Sequence, residues 1–321
     1  MKRFVDLWVS MKIHIPLTVP KAKEKEYLKN FTTATRGTGK LMMFAGDQKV
    51  EHLNNDFYGK GIPAEVADPE HYFRIAKEAQ IGVFATQLGL LAKYGRDYPQ
   101  IPYLVKLNSK TNLLTEKYKD PVSERWLPVN DIVDFKKQSG LNIVGVGYTI
   151  YIGSWYEAEM FGQAARIVQE AHRQGLITVI WMYPRGKAVA DKDEDNIHLI
   201  AGGAGVALCL GADFVKVNYP YNLAHCQKVA NDFKEVVNAA GRTKVICIGG
   251  TKKHEKQFLK CLYDQIHVSG TEGNAIGRNI YQRELAEAIR MANAVSAVSL
   301  YDYSPEDAYE VFLGNKELKI K

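Results

Sequence analysis

The sequence has few cysteines and no long apolar run. Its four cysteines, Cys209, Cys226, Cys247 and Cys261, show no CxxC spacing, so neither a zinc site nor a thioredoxin-like motif is indicated. We expect buried free thiols in a cytoplasmic protein. No stretch of about 18 consecutive apolar residues occurs, so we expect no membrane span. Charged residues interrupt the apolar N-terminal stretch, which is atypical of a signal peptide.

Motifs for metals, nucleotides and nucleic acids are also lacking. The eight histidines show neither HxH nor HExxH spacing, which argues against a catalytic metal ion. No GxSxG elbow and no Walker loop occurs. We therefore expect no metal and no cofactor. The net charge of +6 comes from Lys and Arg dispersed among Asp and Glu, so we expect no nucleic-acid partner.

Short apolar segments alternate with amphipathic ones along the chain, which is typical of βαβ units and a parallel sheet. Helical periodicity is clearest over 156–174. The tail from 304 begins with a capping sequence, Ser-Pro-Glu-Asp. Eight segments are predicted as strands: 41–46, 82–87, 103–108, 143–148, 178–183, 213–218, 244–248 and 273–277. The other predicted helices are 68–79, 130–138, 195–210, 222–239, 253–262 and 283–298.

Eight strand–helix units without a break in composition predict one (β/α)₈ (TIM) barrel domain over residues 1–321. An N-terminal extension of about 1–38 precedes the first strand, and a helical tail of about 304–321 follows the barrel. A polar insertion, 110–129, follows the third strand. A doubly wound open sheet is the alternative.

Two lysines stand inside apolar strands, Lys106 in the third and Lys216 in the sixth. Burying an ammonium group is costly, so each lysine must be paired or neutral. Desolvation lowers the pKa of a lysine and can make it an amine nucleophile. The residues alone leave both readings open: a Schiff-base lysine, or two lysines paired with carboxylates in the barrel.

Glycines after the last two strands indicate a phosphate site. Loops after the seventh and eighth strands of such barrels commonly bind phosphate through backbone N–H groups. Gly249 and Gly250 follow the seventh strand, and Gly277 and Arg278 follow the eighth. An arginine beside free N–H groups suits a phosphate dianion. A phosphorylated substrate is therefore expected.

Seven motifs together resemble the archaeal-type class I fructose-bisphosphate aldolases, a family with bacterial members. The resemblance runs from about 40 to about 283. The motifs are GDQKVEH (46–52), IPYLVKLN (101–108), GYTIYIGS (147–154), WMYPRG (181–186), GADFVKVNY (211–219), IGG (248–250) and IGRNIYQR (276–283).

The resemblance implies roles for residues at matching positions. Lys216 corresponds to the Schiff-base lysine, which decides between the two lysines. Tyr183 corresponds to the main proton-transfer group, and Asp47 to the acidic residue after the first strand. Trp181 would shape the pocket, and His52 would bind substrate.

The remaining site residues are predicted partly from the resemblance. Lys106 would supply charge or bind a substrate hydroxyl, and Arg185 would support the loop or contact phosphate. The four residues of the glycine loops correspond to the C1-phosphate site. Gln48 and Asn218 depart from residues common in the family, His and Lys, which affects the 6-phosphate side and the exact substrate. The family forms ring-based homo-oligomers, often decamers.

Four alternatives stay open. A related Schiff-base enzyme, of transaldolase or thiolase type, would act on another ketose phosphate. A non-catalytic sugar-phosphate-binding barrel would keep the glycine loops without needing both Lys216 and Tyr183. A metal-dependent aldolase would lose activity with EDTA. A nucleic-acid binder would show salt-dependent binding.

Overall fold

The computed structural model describes residues 13–112 and 120–319, and its eight strands form a closed parallel barrel. The strands follow one another in chain order, and β1 pairs with β8. This closure confirms the (β/α)₈ barrel and excludes the open doubly wound sheet. The strands are β1 Leu41–Ala45, β2 Val83–Gln87, β3 Tyr103–Lys106, β4 Ile143–Ile152, β5 Ile177–Pro184, β6 Phe214–Val217, β7 Lys244–Ile248 and β8 Gly273–Ile276.

Helices surround the barrel and close its amino-terminal end. No helix within residues 13–112 and 120–319 is long and apolar enough to cross a membrane. The helices are α1 Glu24–Ala34, α2 Glu70–Glu78, α3 Leu88–Tyr94, α4 Val129–Ser139, α5 Glu157–Arg173, α6 Ile197–Cys209, α7 Cys226–Asp232, α8 Lys234–Ala240, α9 Glu255–Asp264, α10 Arg278–Tyr281, α11 Leu285–Tyr301 and α12 Pro305–Leu313.

Alternate strand residues fill the barrel interior, because successive side chains of a strand point to opposite faces. A separate apolar layer joins the outer faces of the strands to the helices. The inward residues make a continuous buried cluster that includes Leu41, Met43, Val83, Ala85, Leu104, Ile177, Val179, Trp181, Phe214 and Ile246.

The described part of the N-terminal extension belongs to this interior cluster. In α1, Tyr27 and Phe31 are buried, and the Phe31 ring stacks on Phe214 with a centroid distance of 5.6 Å. The Tyr27 hydroxyl donates to Asp213 at 2.5 Å. Helix α1 therefore plugs the amino-terminal end of the barrel, and residues 1–12 lie outside the described part.

One helix prediction needed correction, and three helices were not predicted. The predicted helix 222–239 is two helices, α7 and α8, and it starts later because Asn222 forms a turn in which its side chain accepts from the Ala224 N–H at 3.2 Å. The helices that were not predicted are α1, which lies in the N-terminal extension, and α3 and α10, which are too short to show an amphipathic period. The capped tail is confirmed: Ser304 accepts from the Asp307 N–H at 3.1 Å.

The prediction of four free thiols was wrong for one pair. Cys226 at the start of α7 and Cys261 in α9 form a disulfide, with their Cα atoms 5.1 Å apart. Cys209 and Cys247 are free, and Cys209 is exposed. The two bonded cysteines are 35 residues apart in sequence, so no local spacing signals the pairing.

Candidate active site

Three charged residues of the site lie on the inward face of the strands, at its carboxyl-terminal end. The same alternation that buries Leu104 and Phe214 deeper in the barrel places Lys106 and Lys216 two residues further along. Asp47 follows β1 in the same way. All three are at least 96% buried, with relative exposures of 2–4%. The fold thus brings one carboxylate and two lysines together under the rim where barrel enzymes bind their substrates.

Lys106 is a paired cation. Its Nζ lies 3.3 Å from Asp47 Oδ2 and 3.3 Å from Glu51 Oε1. Its side chain is fully buried, and the two carboxylates offset the cost of burying the ammonium group. Lys106 therefore fits the alternative in which a buried barrel lysine is paired with carboxylates.

Lys216 has no such partner. Among the described residues, none forms an ion pair or hydrogen bond with its Nζ, which lies 4.8 Å from the Trp181 ring centroid. Burial lowers the pKa of Lys216, the charge of Lys106 lowers it further, and Asp47 opposes both. The amine form of Lys216 is thus more accessible than that of a solvated lysine.

Asp47 is an ionised carboxylate with one free oxygen. Burial raises its pKa, but the charges of Lys216 and Lys106 outweigh burial and hold the pKa below its usual value. Asp47 Oδ2 accepts from Lys106, whereas Oδ1 is buried and has no hydrogen-bond donor in the described part of the chain. An unsatisfied buried oxygen of this kind is suited to a ligand hydroxyl.

Trp181 forms the floor between the two lysines. Its strand position pairs with Lys216 in the β5–β6 register, and Lys106 Nζ lies 4.6 Å from the ring centroid. Gly147 leaves room for the indole, because a Cβ atom there would collide with Trp181 Cζ3. The indole excludes water beneath both amines, which strengthens the electrostatic interactions among their neighbours.

Tyr183 lies two residues beyond Trp181 and faces the same pocket. Burial raises its pKa well above the ordinary value, and the charges of Glu51 and Asp47 raise it further. The phenol is therefore protonated at neutral pH. It can donate a proton, and its phenolate would recover one readily.

The predicted phosphate loops form a cationic corner at β7 and β8. The Gly249 N–H is already bonded to the Ala275 carbonyl at 3.1 Å. Gly250 and Arg278 also lie at this corner, and Gly250 has a φ of 66°. Lys253 was missed by sequence reasoning. Its Nζ donates to the Gly249 and Thr251 carbonyls at 2.9 Å, and burial together with the charge of Arg278 lowers its pKa to about 8.

Gly277 directly follows β8 beside this corner. A Cβ atom there would collide with the Gln48 side chain, which follows Asp47 in the turn after β1. Gln48 Oε1 is buried and has no hydrogen-bond partner in the described ranges. The backbone of Gly277 therefore allows the turns after β1 and β8 to approach each other.

His52 and Arg185 lie at the rim and are held by carboxylates. His52 Nδ1 lies 2.5 Å from Asp56 Oδ2, and Arg278 also approaches Asp56, at 3.5 Å. Arg185 makes two hydrogen bonds to Glu194, at 3.0 and 2.9 Å. The structure places both residues near the pocket mouth, outside the buried group around Lys216.

Sequence reasoning also missed Glu51, which contacts Lys106. It stands directly before His52 in the GDQKVEH motif. Because it lies in a turn, the alternation of side chains along a strand does not predict which way it points. Lys253 likewise follows the two glycines in a loop. Among the described residues, no group of three or more His, Cys, Asp or Glu side chains could hold a metal ion.

The chain is similar to known aldolases. The model of the DeoC/LacD family of aldolases matches residues 41–283. A relative from Methanocaldococcus jannaschii, named fructose-bisphosphate aldolase/6-deoxy-5-ketofructose 1-phosphate synthase, is 54% identical over 95% of this chain and 96% of its own length. A class 1 fructose-bisphosphate aldolase from Thermoproteus tenax is 35% identical over 80% of this chain and 89% of its own.

Solved structures agree. A fructose-bisphosphate aldolase from Slackia heliotrinireducens has a TM-score of 0.92 and 48% identity, covering 97% of this chain and 96% of its own. A Schiff base-forming fructose-1,6-bisphosphate aldolase has a TM-score of 0.71 and 33% identity, covering 85% of this chain and 99% of its own. The family resemblance inferred from the seven motifs is confirmed, and the chain belongs to the DeoC/LacD family of aldolases.

Proposed function

We propose that this protein is a class I fructose-1,6-bisphosphate aldolase that forms a Schiff base at Lys216 and needs no metal ion. It would cleave its substrate reversibly to dihydroxyacetone phosphate and glyceraldehyde 3-phosphate. The observation that carries the proposal is the buried Lys216 amine. It has no ion-pair partner in the described part of the chain, and it lies above Trp181 within the field of Asp47. The names of the Methanocaldococcus and Thermoproteus relatives support the substrate.

The first half of the reaction makes the iminium. Neutral Lys216 attacks the C2 carbonyl carbon, and a proton passes from nitrogen to oxygen through Tyr183 to give a carbinolamine. Tyr183 then protonates the C2 hydroxyl, which leaves as water. This step produces a protonated Schiff base and a Tyr183 phenolate. Proton transfer by a positioned group of this kind is worth about 10²–10⁴-fold.

The second half breaks the C3–C4 bond. The Tyr183 phenolate takes the C4 hydroxyl proton, and the electrons of the C3–C4 bond move into the iminium to give a neutral enamine. Glyceraldehyde 3-phosphate leaves, Tyr183 protonates C3, and water hydrolyses the new iminium. Asp47 Oδ1 is the acceptor that we assign to a substrate hydroxyl, since it has no other donor among the described residues.

The C1 phosphate would bind in the corner formed by Gly250, Lys253 and Arg278. Two cations and a glycine backbone N–H suit a phosphate dianion. Gly249 would contribute its compact backbone, because its N–H is already bonded. Gly277 would let the loop after β1 approach the same corner.

The other predicted residues keep supporting roles in this proposal. Trp181 would form the pocket floor, and Lys106 would contribute positive charge beside Lys216. Arg185 would contact the end of the substrate that leaves as the aldehyde, and His52, which shares Asp56 with Arg278, would bind substrate beside the C1 phosphate. Each of these assignments is a prediction for mutagenesis.

A steady-state assay tests the function. Wild-type protein should cleave fructose 1,6-bisphosphate at the same rate before and after EDTA treatment. Lys216→Met, checked for folding by circular dichroism, should show no activity above background. Folded wild-type protein that binds the sugar without cleaving it would favour the sugar-phosphate-binding barrel, and loss of cleavage with EDTA would favour a metal-dependent enzyme.

A second activity is favoured by the Methanocaldococcus relative, whose name includes 6-deoxy-5-ketofructose 1-phosphate synthase. Reversing the aldol bond of that product gives dihydroxyacetone phosphate and methylglyoxal, an aldehyde without phosphate. Arg185, near the aldehyde end, is already neutralised by Glu194. Condensation rates with methylglyoxal and with glyceraldehyde 3-phosphate, measured side by side, would rank the two acceptors.

We also propose that the protein is a cytoplasmic homo-oligomer. Two large exposed apolar side chains support self-association: Trp155 is 78% exposed and Trp126 50% exposed, and exposed apolar surface often marks contact surfaces. Light scattering coupled to gel filtration should give a mass several times 36.1 kDa. A monomer at micromolar concentration would contradict this part of the proposal.

A further inference from the structure

One carboxylate that the reaction scheme leaves unused lies beside Lys106, the buried neighbour of Lys216. Glu51 stands in the turn after β1, where its N–H donates to the Gln48 carbonyl at 3.0 Å. Its side chain is only 16% exposed. Oε1 lies 3.3 Å from Lys106 Nζ and accepts a hydrogen bond from Ser109 Oγ. The turn therefore places a second carboxylate on an ammonium group that Asp47 already contacts.

The charges around Lys216 do not balance when its amine is neutral. The groups whose charges act on it are Asp47, Lys106 and Glu51. Two carboxylates and one ammonium group leave one negative charge. A cation on Lys216 cancels that charge, and an unbalanced buried charge is costly. The pocket is therefore electrostatically complementary to the iminium rather than to the free amine.

We propose that Glu51 is a positioning residue that supplies this second negative charge and stabilises the protonated Schiff base on Lys216. It acts through Lys106 and through the pocket's charge, without touching the substrate. The inference rests on the proposed function, because it requires an iminium at Lys216.

Other groups also face Glu51. Tyr151 of β4 and Tyr183 of β5 feel its charge, and both phenols are held protonated, mainly by burial. Lys110 in the loop after β3 also faces it, but this lysine is only half-buried, so solvent screens its charge. Arg185 and Glu194, further out, form a neutral pair. The one unbalanced negative charge therefore remains within the buried group of Asp47, Glu51 and Lys106.

A purely structural role is the competing explanation. The Glu51 carbonyl accepts from the Asn112 N–H at 3.0 Å, so Glu51 also ties the loop after β3 to the turn after β1. Glu51→Gln separates the two explanations. The amide oxygen can still accept from Lys106 and Ser109, so the variant removes the charge and keeps the contacts.

The experiment measures iminium formation across pH. Wild-type and Glu51→Gln proteins are incubated with saturating dihydroxyacetone phosphate, reduced with cyanoborohydride, and the adduct is quantified by intact mass. We expect the trapped fraction in the variant to fall about tenfold, the effect of one pKa unit. Because Glu51 favours the ammonium form of Lys216, its removal should also move the acid limb of the trapping rate to lower pH.

Two control variants sharpen the test. Glu51→Asp keeps the charge with a shorter side chain, so it should return both the trapped fraction and the acid limb toward wild type. Glu170→Gln removes a carboxylate that pairs with Arg125 at 3.1 Å on the outer helix α5, and it should change neither. A Glu51→Gln protein with a wild-type trapped fraction and acid limb would overturn the inference alone. Absence of adduct in wild-type protein would overturn the proposed function with it.

Discussion

Replacing Asp47 with asparagine removes the charge that most opposes deprotonation of Lys216. The Asp47–Lys106 contact of 3.3 Å corresponds to about 5 kcal/mol of Coulomb attraction at an effective dielectric constant of about 20. Glu51 stays in contact with Lys106, and the amide keeps an acceptor, so we expect a smaller net loss of stability, about 1–3 kcal/mol. Catalysis should suffer more, by about 10²–10³-fold, because the variant loses the negative charge that favours the cationic form of Lys216 and hence the iminium.

The same substitution should also change the pH dependence of activity in a definite direction. Asp47 raises the pKa of Lys216, so Asp47→Asn should lower that pKa and move the acid limb of kcat/KM to lower pH. Asp213→Asn is the matched control. Asp213 is a buried carboxylate at the opposite end of the barrel, where it accepts from Tyr27 and Thr178, and its loss should reduce stability without moving the acid limb. An Asp47→Asn enzyme within threefold of wild-type activity, with an unmoved limb, would refute the reasoning.

Three further predictions follow from single side chains. Lys216→Met should be inactive yet more stable, by about 1 kcal/mol in denaturant titrations. The folded pKa of Lys216 is lowered, so stability should rise more steeply with pH toward about 10.4 in the wild type than in the variant; a less stable variant would contradict this. Lys253→Met should raise KM about 10–100-fold with little change in kcat, and wild-type KM should rise above pH 8, where Lys253 loses its charge; an unchanged KM would remove Lys253 from the phosphate site. Gly147→Ala should displace Trp181 and reduce both activity and indole protection from fluorescence quenchers, and unaltered quenching would show that the floor adapts.

The sequence predicted the barrel because each strand has a local signature. The segment 244–248 was predicted with its observed bounds, and the other strands differ mainly at their ends. Strand β4 continues four residues beyond its predicted end, because Thr149–Ile152 stays paired with β5 as far as Pro184. That extension depends on a neighbouring strand, which local patterning does not reveal.

The site was predictable wherever strand alternation fixes which way a side chain points. Lys106 and Lys216 fall on the inward face by counting along β3 and β6. Which lysine is paired depends on carboxylates from the turn after β1. In this turn the side chains do not alternate between two faces, so their directions cannot be predicted by counting residues. Glu51 and Lys253 were not predicted for the same reason, because each lies in a turn or loop. The Cys226–Cys261 pair joins two helices distant in sequence, so only the fold brings it together.

The most direct test of the account is reductive trapping with peptide mapping. Wild-type protein is treated with borohydride in the presence of dihydroxyacetone phosphate, digested, and analysed by mass spectrometry. The account predicts one stable triose-phosphate adduct, on Lys216, and none in the Lys216→Met protein. An adduct on Lys106 would contradict the assignment of the nucleophile, and no adduct in folded wild-type protein would contradict the Schiff-base mechanism itself.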